Sequence, residues 1–248
     1  MEIRGKTALV TGGAVRIGKA ICEGLATAGC NVAIQYRRSG TEAHALASAL
    51  QAKGVQAHCI QADLDHTQEV EALLATAVES MGAIDILVNN AAVFHKQDLL
   101  ATTPEVLQAE LRVNAFAPIA LMRSFALYHR EHIASGWPEA RIVNILDRRV
   151  ASVEQGAFPY ILSKNMLRDA TRIAALELGP GISVNAVAPG PILPPPGEGE
   201  SYLADRAGPM VLGKRPAPAQ IAAAVLFLLV AEGITGQVLY VDSGQHLL

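Results

Sequence analysis

Seven short apolar runs, separated by longer segments of helical character, constrain the fold of this chain more than any other feature. The runs cover 7–10, 31–36, 56–60, 84–88, 141–146, 182–187 and 238–241. Strands that are apolar throughout and alternate with helices are typical of a parallel sheet with helices on both faces. The 248 residues are 51% hydrophobic, which is enough for a large core. The sequence therefore predicts one α/β domain spanning 1–248, built on a doubly wound parallel sheet of about seven strands.

Composition and charge exclude several broad classes of protein. The net charge is −3 and no long basic block occurs, which argues against nucleic acid as the main partner. The longest apolar run, 221–230, is too short to span a bilayer and predicts a core helix. The charged N-terminus leads directly into the first strand, so no signal peptide is expected. Cys22, Cys30 and Cys59 are scattered and predict reduced thiols in a cytoplasmic protein.

The histidines do not suggest a metal site. His129 and His132 flank Glu131, but no further ligand cluster accompanies them. We expect a solvated helix end there and no metal.

A glycine-rich turn, TGGAVRIG at 11–18, follows the first strand and opens a helix. Glycines in such a turn let the backbone approach a pyrophosphate, and the helix N-terminus favours its negative charge. Arg16 adds a fixed positive charge where a glycine is more expected, although it could also be a solvated first-turn arginine. The turn predicts a dinucleotide site in a Rossmann-type fold.

The second strand ends in QYRRSG, which bears on the choice of cofactor. NAD enzymes place an acid near this point for the ribose 2′-hydroxyl. This chain offers Arg37, Arg38 and Ser39 instead, and cations with a hydroxyl suit a 2′-phosphate. We therefore expect NADP(H) rather than NAD.

The ends of the third and fourth strands supply further candidates. Asp63 could accept a hydrogen bond from the adenine amino group, or it could cap the next turn. The fourth strand ends in NNAAVF, where the backbone at Asn90 and Ala91 can pass close to a ribose. Phe94 would then project over the reactive end of the cofactor and stack on a planar substrate, unless it is ordinary core.

The stretch 147–164, DRRVASVEQGAFPYILSK, carries the candidate catalytic groups. Tyr160 and Lys164 are four apart, which places phenol and ammonium on one helical face. A nearby ammonium lowers the pKa of a phenol from its usual ~10. Asp147 follows an apolar run and should lie at the carboxyl end of a strand, where open α/β sheets bind ligands. Asn114, unfavourable inside its helical pattern, could hold a water or a backbone carbonyl near the site. Taken alone, the Tyr-x-x-x-Lys spacing also fits an ordinary pair of side chains on the surface of a helix.

Together these motifs resemble the short-chain dehydrogenase/reductase family over essentially the whole chain. The shared set also includes VAPGPI at 187–192 and ITGQVLYVDSG near the end. The resemblance implies that Asn114, Asp147, Tyr160 and Lys164 are catalytic. It implies a cofactor site formed by Gly12, Arg16, Ile17, Gly18, Tyr36, Arg37, Arg38, Ser39, Asp63, Leu64, Asn90, Ala91, Ala92, Tyr160, Lys164, Pro189, Gly190 and Ile192.

Two departures from the common family pattern narrow the resemblance. Arg16 replaces the middle glycine of the first turn, and Asp147 replaces the serine usually found thirteen residues before the tyrosine. Both are similar to the pteridine reductase branch, including the bacterial dihydromonapterin reductases. That branch implies a substrate site of Arg16, Phe94, Asp147 and Tyr160, with the pterin between Phe94 and the nicotinamide. An ionised aspartate raises the pKa of a nearby phenol, which suits proton donation to a nitrogen.

We therefore expect an NADPH-dependent pteridine reductase acting on a dihydropterin such as dihydromonapterin or dihydrobiopterin. One alternative is a carbonyl reductase acting on 3-oxoacyl thioesters or other ketones, against which Asp147 and Arg16 argue. Another is a non-catalytic nucleotide sensor, against which Asn114, Tyr160 and Lys164 argue. The proline- and glycine-rich segment 189–215 predicts a substrate flap with a short helix near 201–206.

The helical patterns 111–127 and 157–178 are apolar on more than one face, and in the resembling family such helices pair to make homotetramers. The tail from Gly244 could place His246 near a neighbour's substrate or pack on its own subunit.

Overall fold

Seven parallel strands form one sheet in the computed structural model, which describes residues 1–132, 140–194, 197–199, 201–203 and 207–248. The strand order is β3-β2-β1-β4-β5-β6-β7. The strands are β1 (Thr7–Val10), β2 (Asn31–Tyr36), β3 (Ala57–Gln61), β4 (Ile86–Asn89), β5 (Ala140–Ile145), β6 (Ile182–Pro189) and β7 (Val238–Val241). The predicted doubly wound parallel sheet is confirmed, with its reversal of strand order between β1 and β4.

Helices cover both faces of this sheet. They are α1 (Arg16–Thr27), α2 (Gly40–Gln51), α3 (Thr67–Met81), α4 (Pro104–Leu111), α5 (Ala117–His132), α6 (Phe158–Leu178) and α7 (Pro218–Val230). One buried cluster joins the sheet to α1, α2 and α7, through side chains such as Leu25, Leu50 and Leu228. The other joins the opposite face to α3, α5 and α6, through Leu73 and Phe125 among others. The inner strands β1, β4 and β6 are mostly apolar because both of their faces are buried, whereas the edge strands β3 and β7 are only partly buried.

The observed strand bounds differ slightly from the predicted ones. β4 begins at Ile86 rather than at 84, and β5 covers Ala140–Ile145 rather than 141–146. Just before β4, the Asp85 carboxylate accepts a hydrogen bond from the Thr7 amide at 2.9 Å. This contact holds the chain beside β1 before regular strand pairing starts, and shifts of this size are ordinary at element ends.

The predicted solvated helix end around His129 is wrong. His129 is buried rather than solvated, with Nε2 2.9 Å from the Ile84 carbonyl oxygen and its ring against Phe125. The imidazole tip satisfies a buried carbonyl while its ring fills core space, a tertiary role that the local pattern does not reveal. The side chains of residues 131 and 132 are outside the described part.

The carboxyl ends of all seven strands lie at one edge of the sheet because the strands are parallel. After β6 the chain enters the region expected to be a flap. Residues 201–203 are helical, and the rest of the short helix expected near 201–206 lies outside the described residues, as do 195 and 196. None of the described helices combines the length and apolar character needed to cross a membrane.

Candidate active site

The glycine-rich turn after β1 is fixed by close backbone contacts. Gly12 has a φ of +59°, and a Cβ on Gly18 would lie 2.1 Å from the Gly12 carbonyl oxygen. The Asn90 side chain donates to the Thr11 and Gly12 carbonyls at 2.9 and 3.1 Å, tying the end of β4 to the turn. Any side chain at Gly18 would push these segments apart, so the turn requires glycine there.

Arg16 occupies a backbone conformation that favours glycine. Its φ is +56°, a left-handed value that destabilises a non-glycine residue by roughly 1–2 kcal/mol. Its Nη2 donates to the carbonyl oxygens of Leu193 at 3.4 Å and Pro194 at 2.8 Å. Partial burial lowers the pKa of the guanidinium. Arg16 thus links the turn to the chain leaving β6, so that one cation faces both the cofactor turn and the flap region.

A small cavity lies where the sequence predicts the 2′-phosphate site. Its volume is about 170 Å³, and its lining combines turn residues with the end of β2: Gly12, Ala14, Val15, Tyr36, Arg37, Arg38 and Ser39. Ser39 immediately precedes α2. Two arginines and a serine among the lining residues of a cavity of this size suit a phosphate group.

Asp63 takes its more ordinary role in this structure. Its Oδ1 accepts a hydrogen bond from the Asp65 amide at 3.1 Å and lies 3.8 Å from Arg37 Nη1. Asp63 therefore caps a turn beside the predicted phosphate cavity, while Leu64 next to it is buried. A hydrogen bond from Asp63 to adenine stays a prediction.

Asp147 and Tyr160 meet at the end of β5. The Tyr160 hydroxyl donates to Asp147 Oδ2 at 3.3 Å. Lys164 lies one turn further along α6, and its Nζ donates to the Ile145 carbonyl oxygen at 2.8 Å. Its Nζ is 5.8 Å from the centre of the Tyr160 ring. The structure thus brings together all three groups of the stretch 147–164, and both α6 residues are almost fully buried.

Burial decides the electrostatics of this trio. It raises the pKa of Tyr160 well above 10.0, and the negative charge of Asp147 adds to the effect while Arg149 opposes it. Burial also lowers the pKa of Lys164 to about 8, against the opposing charges of Asp147 and Glu110. The sequence predicted opposing effects on the phenol pKa, a decrease from Lys164 and an increase from Asp147, and the increase prevails. Tyr160 is therefore a protonated phenol at neutral pH, which suits a proton donor.

Arg149 is a site residue that sequence reasoning missed. Its amide donates to Asp147 Oδ1 at 2.9 Å, and its Nη1 lies 3.2 Å from Oδ2. Arg149 is held in turn by Glu154, at 2.7 Å from Nε. Arg149 thus fixes the position of the Asp147 carboxylate, which in turn accepts the hydrogen bond from the Tyr160 phenol and orients it. The RR pair after Asp147 was the only available signal, and a charged residue beside a strand end more often faces solvent.

Asn114 lies in a π-helical turn, Arg112–Phe116, between α4 and α5. Its Oδ1 accepts from the Val93 amide and its Nδ2 donates to the Val93 carbonyl, both at 2.9 Å. Asn114 therefore holds a backbone segment, one of its two expected roles. Short π-helical turns are frequent at functional sites.

Phe94 follows that anchored segment and is not part of the core. The side chain is 46% exposed, and its ring meets Tyr160 edge to face, with centroids 4.8 Å apart. An exposed aromatic face beside the proton donor can stack on a planar ligand.

The remaining predicted residues lie at the end of β6 and in the tail. Gly190 packs against Asp242 so closely that a Cβ would lie 2.8 Å from the Asp242 Cβ, and Ile192 is buried. His246 stacks on Tyr240 and its Nδ1 lies 2.8 Å from Asp242 Oδ2. The tail thus packs on its own chain, and a role in a neighbour's site stays a prediction.

A cavity of about 600 Å³ lies within the flap region, lined by Leu203, Ala207, Gly208, Pro209, Met210, Gly213, Lys214 and Arg215. Neither Asp147 nor Tyr160 lines this cavity.

Within the described ranges, no group of three or more His, Cys, Asp or Glu side chains could hold a metal ion.

Comparison with known proteins places the chain in a family. Residues 13–246 match the family model described as enoyl-(acyl carrier protein) reductase. The granaticin polyketide synthase putative ketoacyl reductase 2 of Streptomyces violaceoruber is 34% identical, covering 97% of this chain and 96% of that protein. The 3-oxoacyl-[acyl-carrier-protein] reductase FabG of Staphylococcus epidermidis is 32% identical, covering 98% of this chain and 99% of that protein.

Solved structures give the same result and bear on the cofactor. FolM alternative dihydrofolate reductase 1 from Brucella canis, complexed with NADP, superposes with a TM-score of 0.92 at 34% identity, covering 100% of this chain and 96% of that one. A short-chain dehydrogenase from Burkholderia cenocepacia, also with NADP, gives 0.87 at 34% identity, covering 98% and 99%. This chain therefore belongs to the short-chain dehydrogenase/reductase family and is an oxidoreductase that uses NADP(H).

Proposed function

We propose that this protein is an NADPH-dependent pteridine reductase that converts a dihydropterin, such as dihydromonapterin or dihydrobiopterin, into the tetrahydropterin. The observation that carries the proposal is the Asp147 carboxylate, hydrogen-bonded to Tyr160 where the common family pattern has a serine. The likeness to the Brucella protein named an alternative dihydrofolate reductase supports it, because dihydrofolate contains a dihydropterin ring.

The cofactor site is proposed from the residues around the first turn and the cavity beside it. Arg37, Arg38 and Ser39 would hold the 2′-phosphate, and Gly12, Arg16 and Gly18 would face the pyrophosphate. The other proposed contacts are Ile17, Tyr36, Asp63, Leu64, Asn90, Ala91, Ala92, Tyr160, Lys164, Pro189, Gly190 and Ile192. NADPH bound there supplies the hydride.

Tyr160 is the proposed proton donor. Reduction of a C=N bond adds a hydride to carbon and a proton to nitrogen, and Tyr160 gives its proton to that nitrogen. The raised pKa of Tyr160 keeps this proton in place until substrate arrives. Asp147 accepts from the phenol and orients it, while Lys164 places positive charge beside the phenolate that forms.

Phe94 and Arg16 are further proposed substrate contacts. The exposed face of Phe94 can stack on a planar heterocycle, which a flexible aliphatic ketone would not exploit. Arg16 already links the cofactor turn to the chain beyond β6 at Pro194. The carbonyls that Arg16 contacts, at Leu193 and Pro194, lie near the start of the segment 189–215, the proposed substrate flap.

A second candidate is an NADPH-dependent carbonyl reductase, which the names of the curated relatives favour. Tyr160 and Lys164 would serve that chemistry equally well. Asp147 argues against it, because a carboxylate cannot donate a hydrogen bond to a ketone oxygen and it repels the developing alkoxide.

The outer faces of α5 and α6 support a proposed homotetramer. Eight large apolar side chains of the π-helical turn, α5 and α6 are more than a third exposed: Phe116, Ile119, Leu127, Phe158, Leu162, Met166, Ile173 and Leu176. Several exposed apolar side chains on neighbouring helices are typical of a protein–protein contact.

The deciding experiment is a substrate panel. Purified protein is given NADPH with dihydropterins, dihydrofolate, an oxoacyl thioester and simple ketones, and NADPH oxidation is followed by absorbance. We expect the highest kcat/KM with a dihydropterin, with the tetrahydropterin identified chromatographically. Tyr160→Phe serves as the control for non-enzymatic oxidation. Turnover of ketones with none of the dihydropterins would contradict the proposal and favour the carbonyl reductase.

A further inference from the structure

The carboxylate at position 147 places a negative charge beside the group that has to become negative during the proposed reaction. Tyr160 gives its proton to substrate while its hydroxyl oxygen lies 3.3 Å from Asp147 Oδ2. The O–H bond breaks, its electron pair stays on the oxygen, and the resulting phenolate faces the carboxylate. Like charges this close repel, and burial strengthens the repulsion, since Tyr160 is only 9% exposed. A serine hydroxyl in the same place would create no such conflict.

Arg149 lies where a cation would relieve this repulsion. Its Nη1 donates to Asp147 Oδ2 at 3.2 Å, the same oxygen atom that accepts from the Tyr160 hydroxyl. The local chain geometry explains this position, because Asp147 caps the short 3₁₀ turn Arg148–Val150 and its Oδ1 accepts from the Arg149 amide at 2.9 Å. An aspartate that accepts from the amide two residues later is common in turns. The guanidinium and the phenol therefore share one carboxylate oxygen.

The orientation of this guanidinium is fixed from its other side by Glu154. Glu154 Oε2 accepts from Arg149 Nε at 2.7 Å, and Glu154 Oε1 accepts from Arg148 Nη2. Arg149 thus directs one N–H toward Glu154 and another toward Asp147, as its planar fork allows. The side chains of Arg148 and Arg149 are 9% and 28% exposed, so solvent screens their charges only in part. Two arginines and two carboxylates leave this cluster neutral until the phenol ionises.

The pKa values agree with this geometry. Burial raises the pKa of Tyr160 most, Asp147 raises it further, and Arg149 opposes both. Burial acts to lower the pKa of Arg149, but its carboxylate neighbours more than offset this and raise it, so the guanidinium stays charged. Other charged groups near the phenol are Glu110, which raises the pKa of Tyr160, and Lys164, whose Nζ lies 5.8 Å from the ring centre. Arg149 is thus a cation bound directly to the carboxylate that opposes the phenolate.

We propose that Arg149 is a positioning residue that balances the charge of Asp147, so that Tyr160 can become a phenolate when it gives up its proton. Asp147 orients the phenol, and Arg149 offsets the repulsion that the carboxylate adds. One proton passes from the phenol oxygen to substrate for each hydride delivered, and Arg149 itself exchanges none. The inference rests on the proposed role of Tyr160 as proton donor, and not on a pterin being the substrate.

The test is steady-state kinetics of Arg149→Met, which keeps a side chain of similar length and removes its charge. The best substrate of the wild type, dihydropterin or ketone, is used throughout with NADPH. The kcat should fall by roughly tenfold or more, as when one electrostatic stabiliser of a transition state is lost, while KM and the Kd for NADPH change little. Arg149→Lys restores the positive charge and should recover part of the lost kcat.

A second substitution separates charge balance from a structural role. Asp147→Asn keeps an oxygen for the Tyr160 hydrogen bond but carries no charge, so the double variant with Arg149→Met should have a higher kcat than Arg149→Met alone. Arg168→Met is the matched control, because Arg168 holds the same turn through the Val150 carbonyl at 2.8 Å, and it should lower kcat far less. A double variant no faster than Arg149→Met, an unchanged kcat in Arg149→Met, or a change confined to KM would overturn the proposal.

Further variants keep the proposal separate from folding and from the proposed function. Should Arg149→Met not fold, Arg149→Gln is likewise uncharged, can still donate to Asp147, and decides by the same readouts. Full kcat in Tyr160→Phe would refute the proton donor, and with it the inference. A wild type that reduces a ketone and no dihydropterin would contradict the pterin activity alone, and the same variants would then be compared with the ketone.

Discussion

Lys164→Met should stabilise the cofactor-free protein while abolishing its activity. Lys164 is 2% exposed, and the Ile145 carbonyl oxygen, at 2.8 Å, is its hydrogen-bond acceptor. A buried ammonium gives up most of its hydration, and a methionine of similar length fills the same space without that loss. The lysine is therefore expected to reduce stability in return for function.

The size of the effect follows from the shift in pKa. Burial lowers the pKa of Lys164 from 10.5 to about 8. At ~1.4 kcal/mol per unit this destabilises the folded state by about 3 kcal/mol when the lysine is charged. Methionine leaves the Ile145 carbonyl without this donor, which costs about 1 kcal/mol. The net gain of about 2 kcal/mol corresponds to a rise in Tm of roughly 4–8 °C for a chain of this size.

The pH dependence of the stability difference between Lys164→Met and wild type gives an independent check of its direction. Because the pKa is lower in the folded state, the unfolded chain binds more protons and the penalty declines as pH rises. The penalty is complete below a pH of about 8 and vanishes above 10.5. The advantage of Lys164→Met over wild type should therefore be greatest at neutral pH and shrink through this window.

The assay is differential scanning calorimetry of cofactor-free wild type and variant at equal protein concentration, since ligands and association also shift Tm. Lys53→Met, at an exposed position, is the matched control and should change the free energy of unfolding by no more than ~0.5 kcal/mol. A Lys164→Met protein that melts below wild type at neutral pH, or an advantage that ignores pH, would refute the reasoning.

Three further predictions concern the cofactor, the proton donor and assembly. Arg38→Ala should raise the Kd for NADPH by roughly tenfold to a hundredfold and leave the Kd for NADH little changed, because only NADPH carries the 2′-phosphate. An equal rise in both Kd values in a fluorescence titration would contradict the assignment of the 2′-phosphate site. Tyr160→Phe should lower kcat by ~10²–10⁴-fold with the Kd for NADPH intact, and a variant that keeps full turnover would exclude Tyr160 as the acid. Light scattering should return a tetramer mass at micromolar concentration, and a monomer would contradict the proposed contact through α5 and α6.

The sheet and the position of the site were predictable because their signals are local. Apolar runs separated by helical segments require a parallel sheet, and parallel strands bring their carboxyl ends to one edge. Asp147, Tyr160 and the first turn could therefore be assigned to that edge from their places in the chain. The sequence also showed that Arg16 is unusual, and the structure adds the reason: its φ of +56° belongs to a glycine.

What escaped prediction depends on tertiary packing. The sequence predicted that Asp147 raises the pKa of the Tyr160 phenol, but it did not reveal that burial is the largest cause of the upward shift. Arg149 and Glu110 look like ordinary surface charges in the sequence, and only the fold turns one toward Asp147 and buries the other. His129 was misplaced for the same reason, since its carbonyl partner at Ile84 is distant in sequence.

The central claim is that Asp147 adapts this site to a pterin, and one ratio tests it most directly. Turnover of a dihydropterin is divided by turnover of a ketone, in wild type and in Asp147→Ser. A serine restores the hydroxyl suited to a ketone oxygen and removes the carboxylate that orients Tyr160. We predict that the ratio falls by roughly tenfold or more in the variant, as expected for a lost acid–base contribution. A ratio that stays constant or rises would contradict the pterin assignment.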